Sequence, residues 1–185
     1  SGTTITMAGG ASGEQPIPFG SGTTTHSRIT VDPDTSTYMM GGCKDGAPGG
    51  AKPSVFGATR SGTTLTFTDE QILNPTGSQN FAVCYAGAAK KFFCMFDHAA
   101  DQDVYSTIVQ VTGTSISMTD KYMFSVQSST TLNASACVYN PDDGAVVAVW
   151  RNTGASGYGY YYVEGIRNTN RTRGAFVGFS NAAYT

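Results

Sequence analysis

The sequence predicts an all-β fold: about three four-stranded antiparallel propeller-like blade repeats of about 54 residues each, plus an extra N-terminal strand. Composition is the first reason. Charged residues make up 13% of the 185, there are 23 glycines, and no segment reads as a long Ala/Glu/Lys/Leu helix. The second reason is punctuation, because β-branched and aromatic runs alternate with Gly, Pro, Asn and Asp clusters roughly every 8 to 12 residues. The third is repetition. Ser1-Gly2-Thr3-Thr4-Ile5-Thr6-Met7 returns as Ser61-Gly62-Thr63-Thr64-Leu65-Thr66-Phe67 and as Thr112-Gly113-Thr114-Ser115-Ile116-Ser117-Met118. Asp32-Pro33-Asp34 returns as Asn140-Pro141-Asp142. A β-sandwich or β-prism is the alternative arrangement of the same strands.

Residues 1–26 read as a lone strand and a Gly/Pro-rich linker. Unit one covers 27–74, with strands A to D at 27–31, 37–43, 52–59 and 63–68. Pro53 lacks an amide proton, so it belongs where no ladder bond is needed. Unit two covers 75–125, with strands at 80–85, 90–96, 104–111 and 114–118. Unit three and the tail cover 126–185, with strands at 133–139, 145–151, 158–166 and 172–176. Asn140-Pro141-Asp142-Asp143-Gly144 is a turn by chemistry: Pro presets φ, Asn and Asp bond their own backbone, and Gly accepts φ > 0. Linkers of a common form, such as Gln71-Ile72-Leu73-Asn74 and Tyr122-Met123-Phe124-Ser125, anchor each unit to the next. Alternation along the B strands places Met39, Phe93, Val147 and Val149 in the core and sends Lys44, Lys90 and Arg151 to solvent.

Net charge is −2, from 11 Lys and Arg against 13 Asp and Glu, with no basic cluster. Nucleic acid is therefore not an expected partner. No apolar run reaches the roughly 18 residues of a membrane-spanning helix, so no membrane insertion is expected. The four cysteines, Cys43, Cys84, Cys94 and Cys137, show no CxxC spacing and sit in strand-like runs, where Cys acts as a small buried hydrophobe. Cys84 with Cys94 is the one pairing the turn between them would allow.

Tyr158, Tyr160 and Tyr162 share one face of a strand, near Trp150, Arg151 and Asn152. Rings in such a row would bind the apolar faces of sugars while their hydroxyls bond the sugar alcohols. Packing between adjacent units is the more usual fate of such rings. Asp97, Asp101 and Asp103, beside His98, would offer oxygen ligands to a hard cation, but they match no EF-hand, and a solvated acidic loop is the plainer reading. His26 stands alone before a strand. No paired carboxylates and no nucleophile with its base are assembled in sequence, so the chain reads as a non-enzyme without a cofactor. Asn133-Ala134-Ser135 and Asn170-Arg171-Thr172 fit the N-glycosylation acceptor pattern, which would place glycans on two loops.

Trp150-Arg151-Asn152, more loosely Cys43-Lys44-Asp45, then Gly157-Tyr158-Gly159 and Gly113-Thr114-Ser115-Ile116-Ser117, resemble the repeats of tail-fibre and other structural proteins of marine phages and large algal viruses. The resemblance covers nearly the whole chain and lies in turns and strand faces. Cys43 and Phe96 depart from it in the aromatic slot, and a fourth unit is absent. It implies a virion-surface or extracellular fibre component that self-associates or joins other subunits and displays a surface to cell-surface glycan; a purely structural fibre or decoration subunit is the alternative, and a propeller glycosidase the outlying one. Three units fall short of the four or more blades of a propeller ring, so neighbours are expected, with Ser1 to Met7 touching another chain or the edge of unit three.

Overall fold

The computed structural model describes residues 24–44, 51–62, 64–78, 80–98, 103–119, 121–125, 132–152, 159–167 and 170–179. Every regular element among them is a strand, apart from one 3-10 turn at Gly87–Ala89. Sheet one contains β1 (Thr24–Asp32), β2 (Thr37–Lys44), β3 (Lys52–Ser61) and β4 (Thr64–Phe67) in that order, and the short β5 (Gln71–Ile72) also pairs β3. Sheet two contains β6 (Phe81–Ala86), β7 (Lys91–His98), β8 (Asp103–Thr112) and β9 (Ser115–Met118), with β10 (Tyr122–Ser125) pairing β8 beyond β9. Sheet three runs β11 (Leu132–Asn140), β12 (Ala145–Asn152), β13 (Gly159–Arg167), β14 (Asn170–Phe179). All pairings are antiparallel. The expected units are all present, with boundaries moved by a few residues.

Turn chemistry repeats with the units. The pairs Asp32↔Thr37, Ala86↔Lys91 and Asn140↔Ala145 each close a four-residue loop between strands A and B. The Asp34 amide donates to Asp32 Oδ1 at 3.0 Å and the Asp142 amide to Asn140 Oδ1 at 3.1 Å, so the two Pro-Asp turns are held the same way. The C to D turns begin with Gly62 and Gly113, both at φ +59°, as a two-residue hairpin with Gly in first place requires. In units one and two the expected linker motif forms an edge strand after D; in unit three the corresponding stretch is continuous with D as the single strand β14.

Counting from the closing pairs aligns the three B strands residue for residue, and it corrects the aromatic slot. Gly42, Phe96 and Trp150 occupy one position, whereas Cys43 aligns with Asp97 and Arg151. A slip of one residue matters because it exchanges the faces of a strand. With this register the stack becomes simple. Met39 and Cys43 of sheet one pack with Phe92, Cys94 and Phe96 of sheet two. Phe93 and Met95, on the opposite face of sheet two, pack with Val146, Ala148 and Trp150 of sheet three. Sheet two is thus apolar on both faces, and β7 contributes to two cores.

Glycine sets the closeness of the first interface. A Cβ on Gly41 would lie 2.5 Å from two atoms of the Phe81 ring, and one on Gly57 would lie 2.7 Å from Val111. The linker between sheets one and two is fixed by hydrogen bonds, with the Leu73 amide on the Pro53 carbonyl at 2.8 Å and Lys121 Nζ on Asn74 Oδ1 at 2.8 Å. Lys44 reaches Glu70 at 3.0 Å and remains partly exposed, and Arg151 is exposed on β12; Lys90, expected in strand B, instead ends the turn before β7 and is exposed there.

Candidate functional site

The aromatic row expected to meet a sugar lies inside the protein. Trp150, Tyr160 and Tyr162 are 3%, 7% and 3% exposed and belong to the core between sheets two and three. The Trp150 and Tyr160 rings are stacked, centroids 6.0 Å apart. Cross-strand pairs Trp150↔Tyr160 and Ala148↔Tyr162 put all three rings on the face turned to sheet two, where burying them is worth more than leaving them wet. Arg151 points the other way and is exposed, Asn152 ends β12, and Tyr158 lies outside the described residues. Among the described side chains, Trp150, Tyr160 and Tyr162 do not share a surface with Arg151.

The acidic loop is also not a solvated one at its ends. Asp97, next to last in β7, is 3% exposed and Asp103 opens β8 at 8%, while Asp101 lies outside the described residues. Asp97 Oδ1 accepts the Ser78 hydroxyl at 2.6 Å and the Asn80 amide at 3.0 Å, a carboxylate fastening the inter-unit linker rather than awaiting a cation. The Cys43 thiol in turn donates to Ser78 Oγ at 3.8 Å. A Cys-Ser-Asp chain superficially suggests a nucleophile, but burial pushes the Cys43 thiol up to about 12, so it stays protonated and inert. No group of three or more metal-ligating side chains occurs among the described residues.

Cys84 and Cys94 cannot pair. The register Val83↔Cys94 and Cys84↔Phe93 puts them on opposite faces of sheet two, and Cys84 faces sheet three while Cys94 faces sheet one. The acceptor asparagines fall in strands rather than loops: Asn133 within β11, paired with Arg151, and Asn170 at the start of β14. His26, expected to be a bystander, is exposed and adopts φ 56° beside the irregularity between Thr25 and Arg28 in β1. Ser1 to Met7 lies outside the described residues.

What the sheets do bring together is their A strands. β1, β6 and β11 are sheet edges that lie side by side, β6 between the other two. Along them runs an open groove of about 610 Å³, lined by Ile29, Val31, Val83, Cys84, Cys137 and Val138 among others. No protein-family model and no curated sequence matches this chain. Its site must be read from its own geometry.

The groove shows a regularity the sequence contained but pattern reading missed. Ile29, Val83 and Cys137 stand at one repeat position and face backward along the stack; Thr30, Cys84 and Val138 stand at the next and face onward. The interior copies are covered: Val83 is 9% and Cys84 7% exposed. The terminal copies are open, with Ile29 at 61% and Val138 at 63%. The B strands agree. Met39 and Phe93 are wholly buried as expected, but Val147, their equivalent, is only half-buried and Val149 is exposed. Half-buried Tyr161 and Val163 complete the same face of sheet three. At the other end, Met40 and Phe56 on the backward face of sheet one are buried, so sheet three carries the broader open face.

Proposed function

We propose that this protein is a non-enzymatic structural module of an extracellular or virion-surface fibre. It works by stacking β sheets, and the onward face of its sheet three receives a further sheet, supplied by a second copy of the chain. One observation carries the reading. The face that is covered at Met39 in sheet one and at Phe93 in sheet two remains open at Val147 and Val149 in sheet three, although the residues there are just as apolar. Contiguous exposed apolar surface of this kind marks an interaction site, and a two-sided apolar repeat is satisfied only by continuing the stack. The resemblance to viral fibre repeats points the same way. Display of a glycan-binding surface is less well supported than a purely structural role, because Trp150, Tyr160 and Tyr162, which would serve it, lie in the core.

Sedimentation velocity on the purified chain tests the proposal. The expected result is self-association that the double variant Val138→Asp with Val149→Asp abolishes, with the far-ultraviolet β signal unchanged. A wild-type chain that stays monomeric at high concentration, or a folded double variant that associates as before, overturns it.

A further inference from the structure

The repeat register puts unlike pairs at its two internal junctions. Between sheets one and two the onward A-strand residue is Thr30 and the backward one is Val83; between sheets two and three they are Cys84 and Cys137. Both cysteines are free, belong to one packed cluster, and line the open groove along the A strands. Cys137 packs against the cluster that contains Cys84, and the strands that carry them, β6 and β11, lie side by side. Cys43 and Cys94 belong to the other cluster, on the far side of sheet two. We propose that Cys84 and Cys137 are a redox site, at which a small-molecule disulfide such as oxidised glutathione forms an intramolecular disulfide that staples sheet two to sheet three.

The groove gives the oxidant access, and exposure sets the order of events. Cys137 is the less buried, so its sulfur attacks the oxidant disulfide first, breaking that S–S bond, forming a mixed disulfide and releasing one thiolate. Cys84 then attacks Cys137 Sγ, forms the protein disulfide and releases the second thiolate. The two protein thiols lose two electrons and the oxidant gains them; the two thiol protons end on the two released thiols. Contact with Cys84, and burial, hold the Cys137 thiol well above its ordinary range, so the exchange is slow at neutral pH and accelerates as pH rises.

The full chain is incubated with oxidised glutathione, quenched in acid, unfolded, alkylated and peptide-mapped. The expected result is a fall from four titratable thiols to two, an intact mass lower by two hydrogens, and a linked peptide pair containing Cys84 and Cys137. The melting midpoint should rise, since the link closes a long loop. Cys84→Ala should instead trap glutathione on Cys137. Four thiols still free in the wild-type chain, a glutathione adduct on Cys137 that never resolves while Cys84 is present, or a link mapped to Cys43 or Cys94 would each overturn the proposal. The readout needs no self-association and is independent of the interface proposed above.

Discussion

Ser36, Lys90 and Gly144 close the three A to B loops with φ of 55°, 51° and 70°. The left-handed conformation suits Gly144 and strains the other two, because a Cβ there crowds the following carbonyl. Lys90→Gly is therefore expected to stabilise the protein by about 0.5–1 kcal/mol, and Gly144→Ala to destabilise it by about 1 kcal/mol, in denaturant unfolding. Asp32 ends β1 at the first of these loops. Burial alone would raise its pKa, but the Thr35 hydroxyl, the Tyr85 phenol and the amides of Asp34 and Thr35 together hold it below the ordinary 3.8. Since the folded value lies below the unfolded one, the stabilisation is complete above about pH 4 and is lost as pH falls through the folded value. Asp32→Asn should be less stable than wild type at pH 7, and the gap should close on acidification below pH 3.8; a gap that widens there would contradict this assignment.

At the scale of elements, the contact between sheets one and two depends on absent side chains as much as on present ones. Gly41 lets the Phe81 ring approach where even a methyl group would overlap it, and a Cβ there would also come within 2.9 Å of the Ser54 carbonyl. Gly41→Ala is expected to cost about 1–3 kcal/mol through overpacking. Adding Phe81→Leu should recover part of that loss, so the double variant departs from additivity, a coupling measurable in a double-mutant cycle. A purely additive pair would mean that the ring moves aside freely. The A to B turns and the strands they join were legible in sequence because proline, asparagine and glycine act locally. The fusion of the last strand and linker of unit three into β14 was not, since nothing local separates a paired linker from an unpaired one.

For the whole molecule, equal repeat positions carry unequal energies. Met39 and Val147 are equivalents, as are Gly41 and Val149, yet only sheet one has a neighbour on that side. Met39→Asp would bury an unpaired charge in a closed core and should cost about 3–5 kcal/mol or prevent folding. Val149→Asp should change monomer stability by less than about 1 kcal/mol, because its site is open until another sheet arrives. Comparable losses of melting temperature in both variants would mean that sheet three is covered within the chain. The unequal outcome is the stability counterpart of the association experiment and needs no partner to be present.

The sequence by itself determined the all-β class, the three antiparallel units, their turns and which residues share a strand face, because these follow from backbone preferences and a period of two. It could not determine what each face meets. Trp150, Tyr160 and Tyr162 form a row whether that row lies against sheet two or against solvent, and Cys84 approaches Cys137, 53 residues away, only because β6 and β11 lie side by side. Val149 and Met95 likewise hold one position in the repeat and read alike, and the presence of a third sheet over Met95 but not over Val149 is what divides core from surface. Burial is a property of the neighbour as much as of the residue, and neighbours distant in sequence are supplied only by tertiary structure.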